Sequence, residues 1–104
     1  MNLADFGRFA DPALLILTSL ADGPKHGYAM MEDIQRLAGV RLGPGTLYGA
    51  LARLEERALI EALPAEDRRH PYQLTPAGRV FLREQLERWH QLTGIGLERL
   101  AGQA

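Results

Sequence analysis

Three histidines are the residues best suited to metal binding or acid–base chemistry in this chain of 104 residues. His26, His70 and His90 lie on separate predicted elements, and their spacing matches no metal-binding motif. Cysteine is absent, which excludes disulfides, thiolate metal sites and a cysteine nucleophile. The sequence has no HExxH, GxSxG or phosphate-loop motif. A small hydrolase is therefore a poor interpretation, and we expect no enzyme activity, no metal and no cofactor.

A different chemistry is concentrated in a predicted helix that begins at Pro44 and ends near Arg57. Leucines at i, i+4 and i+7 predict its buried stripe, which consists of Leu47, Leu51 and Leu54. Hydroxyl groups can donate to phosphates, and arginine can pair with a phosphate or a guanine. By helical geometry the face opposite the leucines carries Gly45, Gly49, Ala52, Arg53 and Glu56, flanked by Thr46 and Tyr48.

Glycines on the outer face of this helix require an explanation. Each costs about 1 kcal/mol relative to alanine inside a helix. A bare backbone at the start of a helix would let a phosphate or a base edge approach closely, and this is the interpretation we favour. The alternative is that Gly43, Gly45 and Gly49 belong to a loop and a loosely formed helix.

The predicted hairpin after this helix offers a second basic surface. Residues 59–64 and 71–74 alternate apolar and polar side chains, as half-exposed strands do. The turn between them carries Arg68 and Arg69, and the negative potential of a DNA minor groove favours arginine. The alternative is a solvated turn in which Glu66 and Asp67 pair with the arginines. The position of the turn after a candidate DNA-contacting helix leaves the two interpretations about even.

The remaining elements begin with two predicted helices and a short extended segment. Asp11 and Pro12 form a helix start, and that helix ends near Leu20. The second helix begins near His26 or Gly27 and ends near Leu37, with one apolar face. Residues 40–42 form an extended segment that could add a third strand to the hairpin. The apolar face of the second helix is predicted to consist of Met30, Ile34 and Leu37.

A long last helix begins at Thr75-Pro76 and ends near Thr93, followed by a frayed tail that Gly94 and Gly96 weaken. The predicted fold is mostly α with a small β-hairpin. It is a winged helix-turn-helix domain over residues 1–75, with a C-terminal dimerisation helix and tail over 76–104 in the same compact unit. The opening segment has no basic region followed by an apolar stretch, so no signal peptide is predicted.

The last helix carries more apolar surface than one small domain can cover. To Thr93 it would be about 27 Å long. A second copy of the chain could cover the remainder, and a symmetric homodimer is the economical arrangement. Such a dimer would place two DNA-contacting helices about 34–36 Å apart on a pseudo-palindromic operator. The predicted interface stripe consists of Leu82, Leu86, Trp89 and Leu92.

Three segments in order resemble the PadR family of bacterial transcriptional regulators: ILTSLADGPKHGY at 16–28, GPGTLYGALARL at 43–54 and YQLTPAG at 72–78. The resemblance covers about residues 13–86. It implies a winged helix-turn-helix repressor that dimerises through its C-terminal helix. It also implies that Tyr28, Thr46, Tyr48 and the basic turn face DNA. Lys25 and His26 stand where contacts to the DNA backbone are expected.

Two positions carry further consequences of this resemblance. Trp89 is either a packed interface aromatic or one side of a sandwich around a planar aromatic effector, as in family members that respond to flat compounds. Ala58 occupies a position where the family has glycine after the DNA-contacting helix. Glycine is favoured at a left-handed C-terminal cap, so we expect either a cost of about 1 kcal/mol or a different turn.

The net charge of −1 does not exclude DNA binding, because the field at the contact surface matters more than the sum. No apolar run is long enough to cross a membrane, so the cytoplasm is the expected location. The alternative function is a winged-helix module for protein–protein contact that does not bind DNA. A steep loss of affinity with salt would distinguish DNA binding from it.

Overall fold

The computed structural model describes residues 11–103, which form four α-helices and one two-stranded antiparallel sheet. The predicted order of three helices, a hairpin and a long helix is confirmed. The opening segment of residues 1–10, which is part of the predicted domain 1–75, lies outside the described residues. In chain order the elements are α1 (Pro12–Ser19), a 3-10 turn (Leu20–Asp22), α2 (Gly27–Ala38), α3 (Pro44–Glu56), β1 (Ile60–Ala62), β2 (Tyr72–Leu74) and α4 (Pro76–Gly102).

Both predicted cap-and-proline helix starts form as expected. The Asp11 carboxylate accepts a hydrogen bond from the backbone N–H of Ala13 at 2.9 Å, and proline follows at the first helical position. At the start of α4 the Thr75 hydroxyl accepts from the N–H of Gly78 at 3.0 Å. Each side chain satisfies a backbone donor that the helix itself cannot pair.

The core lies between α1, α2, α3, the hairpin and the first turns of α4. The predicted stripe of α3 is buried, as are Met30 and Ile34 on α2. The prediction for Leu37 was wrong, because its side chain is 60% exposed. Helical spacing fixes the direction in which a side chain points, but no described element covers the last turn of α2 on that side.

Residues 40–42, which could have added a third strand to the hairpin, do not do so. The sheet contains only β1 and β2, and Leu42 is buried in the core instead. The other edge of β2 pairs with the turn before α2. There the Lys25 N–H donates to the Tyr72 carbonyl at 3.1 Å, and the Tyr72 N–H donates to the Lys25 carbonyl at 2.9 Å. Because β1 and Lys25 occupy the two edges of β2, residues 40–42 cannot pair with that strand.

Ala58 adopts the left-handed conformation that glycine would favour, with a φ of 59°. The N–H of Leu59 donates to the carbonyl of Leu54 at 3.0 Å, and the N–H of Ala58 donates to that of Glu55 at 2.9 Å. These two bonds form the usual left-handed helix ending. The chain therefore keeps the turn and accepts a conformational cost of about 1 kcal/mol.

The helix α4 is longer than the sequence indicated, because it continues through Gly94 and Gly96 to Gly102 as one element of 27 residues. At that length it spans about 40 Å. Its first turns pack on the core, whereas its side chains beyond Trp89 are almost all exposed. Within residues 11–103, no helix combines the length and the apolar character that crossing a membrane requires.

Gly78 is where α4 passes closest to the hairpin. A Cβ at this position would lie 1.9 Å from the carbonyl oxygen of Leu59, which is backbone and cannot move aside alone. Gly78→Ala should therefore lower the free energy of unfolding by about 3 kcal/mol, as severe overpacking does. Chemical denaturation measures this change.

Gly94→Ala is the matched control for that substitution, because a Cβ there would meet no atom within 4 Å. It should raise the free energy of unfolding by about 1 kcal/mol through helix propensity alone. Equal effects of the two substitutions would show that the contact between α4 and Leu59 is not tight.

Candidate nucleic-acid interface

The outer face of α3 is open to solvent along its first two turns. Gly45, Thr46 and Tyr48 are exposed, and Tyr48 retains 52% of its accessible surface. A Cβ added at Gly45 would meet nothing within 4 Å. Gly45 thus leaves bare helix backbone at the surface, opposite the leucines that hold α3 on the core, whereas Gly49 one turn later is half-buried.

Arg53 extends this face by one further turn. A Cβ on Gly49 would have a guanidinium nitrogen of Arg53 as its nearest neighbour, at 3.8 Å, so the arginine folds back over the glycine. Within residues 11–103, no ion pair or side-chain hydrogen bond is found for Arg53. Its fork of N–H donors therefore remains available to a carboxylate, a phosphate or a base edge.

Tyr48 rests on the start of α2 through Gly27. A Cβ at Gly27 would lie 2.7 Å from the Tyr48 hydroxyl oxygen and 3.2 Å from a methyl carbon of Leu47. Gly27 was not among the residues predicted to matter for the site. The sequence did carry a signal, because a glycine stands between His26 and Tyr28 at the predicted helix start, and in the structure this glycine is buried.

A groove of about 590 Å³ separates the starts of α2 and α3 from the hairpin. It brings together candidate DNA-contacting residues from three separate segments of the sequence. It does not include Lys25, Thr46, Gly49 or Arg53. The predicted residues that line it are His26, Tyr28, Tyr48, Arg68 and Arg69, and those that were not predicted are Gly27, Met31, Pro44, His70 and Tyr72.

The tip of the hairpin is a tight turn with an unusual sequence. Glu66 and Arg69 pair through backbone hydrogen bonds of 2.7 and 2.9 Å, and the two residues between them have positive φ, 48° at Asp67 and 68° at Arg68. This is the turn that normally takes Asn-Gly. In the described chain neither arginine makes an ion pair, and the Glu66 carboxylate lies 3.9 Å from His26 Nε2 instead. The arginines are therefore not neutralised by their acidic neighbours.

Two polar groups in the groove lie partly beneath its surface. The Nδ1 atom of His26 is buried and has no hydrogen-bond partner among the described residues. Burial raises the pKa of the Tyr72 hydroxyl, and the charge of Glu55 and the nearby Tyr48 raise it further. Tyr72 therefore stays neutral and can act as a hydrogen-bond donor.

Lys25 lies apart from this groove and is held inside the chain. Its ammonium donates to the backbone oxygen of Ser19 and to the carboxylate of Asp22, and the Asp33 carboxylate lies 4.0 Å away. The side chain is only 18% exposed. Sequence reasoning placed Lys25 among the DNA contacts from its position, but its charge is already satisfied by oxygens of its own chain.

Asp33 is the centre of this internal network. The hydrogen bond from the buried Ser19 hydroxyl, 2.7 Å long, lowers the pKa of Asp33 most, and burial opposes it. A 3.2 Å hydrogen bond from Arg36 and the charges of Lys25 and Arg36 lower it further. The pKa of Asp33 therefore lies below its ordinary value of 3.8.

The predicted stripe on α4 is divided by the fold. Leu82 is 4% exposed and belongs to the core of its own chain, because the first turns of α4 lie against the body. Leu86 and Leu92 are exposed. Trp89 is half-buried and lines a shallow groove of about 170 Å³ with Phe81 and Leu54, among other residues.

The fold and this face define a winged helix-turn-helix protein. A sequence profile described as the PadR-like transcriptional regulator family matches residues 16–84. The chain is 38% identical over 94 residues to the transcriptional regulator Rv3488 of Mycobacterium tuberculosis, covering 88% of this chain and 84% of the relative. The chain belongs to the PadR-like family of transcriptional regulators, as its motifs indicated. Members of this family are regulators rather than enzymes.

Two further likenesses agree with this assignment. A PadR family regulator of known crystal structure from Clostridium difficile R20291 has a TM-score of 0.76 and 26% identity, covering 86% of this chain and 97% of that one. An uncharacterized 37.1 kDa protein in transposon TN4556 of Streptomyces fradiae is 48% identical over 87 residues. That match covers 84% of this chain but only 25% of the transposon protein, so the chain spans about a quarter of its length.

Stability at low pH tests the role of Asp33. Since its pKa is lowered in the folded state, the ionised carboxylate stabilises the fold above its ordinary pKa, and this contribution is lost as pH falls through the lowered value. Asp33→Asn should lower the free energy of unfolding by about 1–2 kcal/mol at neutral pH. Denaturation at a series of pH values should show that the difference in the free energy of unfolding between Asp33→Asn and the unsubstituted protein disappears below about pH 4.

Glu32→Gln, which removes an exposed carboxylate from the same helix, is the control and should change little at any pH. If the difference in the free energy of unfolding between Asp33→Asn and the unsubstituted protein did not change with pH, the charge of Asp33 would not be what stabilises the fold.

Proposed function

We propose that this chain binds double-stranded DNA as a sequence-specific regulator, with α3 in the major groove. The family is one of DNA-binding regulators. The observation that carries the proposal for these residues is the open, glycine-bare face of α3 beside an unpaired arginine. An α-helix fits the major groove, and a face without side chains lets base edges and phosphates come close to its backbone.

Each contact has a role that follows from its chemistry. Arg53 is the candidate for reading a guanine, because a bidentate pair between arginine and guanine is the commonest specific contact. Gly49 gives the DNA access to the backbone, and the hydroxyls of Thr46 and Tyr48 donate to phosphates. The wing (β1, β2 and the turn between them) brings arginines to the minor groove or the adjacent backbone. The remaining proposed contacts are His26, Tyr28, Arg68 and Arg69.

The proposal includes a homodimer formed through α4. Residues 91–102 of this helix have almost no covered side chains within the described chain. Four exposed leucines lie on one side of α4, within an arc of about 140° around the helix axis, a width typical of a packed helix face. They are Leu86, Leu92, Leu97 and Leu100. An exposed apolar face of this kind marks an interaction surface. A second copy would bury it and place two α3 helices on one pseudo-palindromic operator.

Repression and release by an effector complete the proposal. A dimer bound across an operator can block transcription by occupancy alone. An effector bound beside Trp89, between the two subunits, would act by favouring one arrangement of the two α3 helices over the other. Trp89 is half-buried next to Phe81, so a planar aromatic compound is the class of effector that such a site would accept.

Salt-dependent DNA binding tests the face of α3. The unsubstituted protein should lose affinity steeply with salt, because each phosphate contact adds about 0.9 to the slope of log K against log salt. Arg53→Ala should weaken binding about tenfold, and Tyr48→Phe about fivefold. Titration of labelled operator fragments, selected from the genome of the host, measures both. Arg88→Ala, an exposed arginine on α4 with the same change in charge, should bind normally.

Two outcomes would contradict the proposal. Full affinity in both the Arg53→Ala and Tyr48→Phe proteins would remove α3 from the interface. Absent or salt-independent binding by the unsubstituted protein would favour the protein–protein module instead.

The dimer is tested by a charge placed in the apolar face of α4. Leu92→Glu should shift the chain to monomer in sedimentation, because it buries an unpaired carboxylate in the interface. It should also weaken operator binding, since one half-site is then held at a time. Gln91→Glu adds the same charge at an exposed neighbouring position. Dimers of equal strength in both proteins would mean that the subunits meet through another surface.

A further inference from the structure

We propose that Lys25 is a positioning residue that fixes the wing to the helical body, so that Arg68 and Arg69 face the groove at α3. Its main chain pairs with β2, and its side chain is held by the end of α1, the 3-10 turn and α2. This inference rests on the proposed DNA-binding function. It gives Lys25 a role other than the phosphate contact that its position in the sequence implied.

The main chain of Lys25 holds the open edge of the wing. The strand β2 has only three residues, and β1 covers one of its edges. At the other edge the reciprocal hydrogen bonds between Lys25 and Tyr72, of 3.1 and 2.9 Å, are the sole β-bridge from the described helical body to the wing. The backbone position of Lys25 is therefore one of the anchors that set the angle between the wing and α2.

The side chain of Lys25 fixes that backbone in turn. The ammonium is surrounded by oxygens of Ser19, Asp22 and Asp33, which belong to the end of α1, the 3-10 turn and α2. Ser19 is 1% exposed and also donates to Asp33. Because a buried hydroxyl and a helix hold these oxygens, the lysine cannot shift without losing charge-assisted hydrogen bonds.

The same network explains why Lys25 is a weak candidate for a direct phosphate contact. To reach a phosphate, its ammonium would have to leave two carboxylates and a backbone oxygen. Arg68 and Arg69 have no such partners within residues 11–103 and are free to bind. The charges of this face are thus divided into paired ones that hold the structure and unpaired ones that face outward.

The effect of Asp33→Asn on DNA affinity distinguishes a positioning role of Lys25 from direct electrostatics, because the two predict changes in opposite directions. Removal of a carboxylate near the interface should tighten DNA binding if only long-range charge matters. If Asp33 instead holds Lys25, and Lys25 holds the wing, the same substitution should weaken binding. The loss arises because the wing is then in its binding orientation for only part of the time, which lowers the apparent affinity by that fraction.

The experiment compares Lys25→Met, Asp33→Asn and Arg68→Ala in salt titrations of DNA binding. We expect Lys25→Met and Asp33→Asn each to weaken binding about tenfold and to leave the salt slope unchanged. Arg68→Ala, the direct-contact control, should reduce the slope by about 0.9. Amide hydrogen exchange of the free protein supplies the second measurement. The Tyr72 amide, which donates to Lys25, should exchange faster in both network variants, beyond any change at the core amide of Leu51.

Three results would overturn the inference. A slope reduced by about 0.9 in Lys25→Met, with Asp33→Asn binding as tightly as the unsubstituted protein or more tightly, would make Lys25 a phosphate contact. If the exchange rates of the Tyr72 and Leu51 amides rose by the same factor, the contacts of Lys25 would stabilise the whole fold and would not fix the wing in particular. If the unsubstituted protein failed to bind DNA, the proposed function would be wrong. The exchange measurement is independent of DNA, so unchanged exchange at Tyr72 in the two network variants would by itself reject the role of Lys25 in fixing the wing.

Discussion

Burial of the α3 leucines is the constraint on which the rest of the structure depends. Leu47 and Leu51 are almost completely enclosed, and with Leu54 they fix the rotation of α3 about its own axis. Once that rotation is set, the glycines and Arg53 must face outward, because they lie on the opposite side of the same helix. The chain therefore obtains an exposed, nearly bare helix face without any residue that forces the backbone out of the core.

The segment from β2 into α4 joins the wing, the end of α3 and the start of α4. Tyr72 pairs with Lys25, the Thr75 hydroxyl donates to the carbonyl of Ala58 at 2.7 Å, and Gly78 lies against Leu59. These three parts are thus in direct contact through the short segment from Tyr72 to Gly78. A movement of α4 would reach α3 through packed backbone, which transmits displacement well because protein interiors are densely packed.

Charge pairing, rather than net charge, distinguishes the two kinds of basic residue in this chain. Lys25 and Arg36 pair with the carboxylates of Asp22 and Asp33, so their charges stabilise the fold. Arg53 and the wing arginines have no ion-pair partner in the described part of the chain and stay exposed. A protein with a net charge of −1 can therefore present a locally basic face.

The sequence by itself determined the order of the helices, the capped starts of α1 and α4 and the outward face of α3, because each depends on neighbours within a turn or two of chain. Periodicity gave the leucine stripe, and the Asp-Pro and Thr-Pro pairs gave two helix starts. Three family motifs gave the winged fold. Even Ala58 keeps the turn that glycine would favour, since its hydrogen bonds are local.

Only the tertiary structure decided which surfaces meet. Leu37 is exposed, and Leu82 lies in the core of its own chain. The second edge of β2 pairs with Lys25 rather than with residues 40–42. The tertiary structure also encloses the ammonium of Lys25 among oxygens from three separate elements. Helical and strand spacing fix the direction of a side chain, but the group that it meets there comes from a distant part of the sequence and depends on how the elements pack.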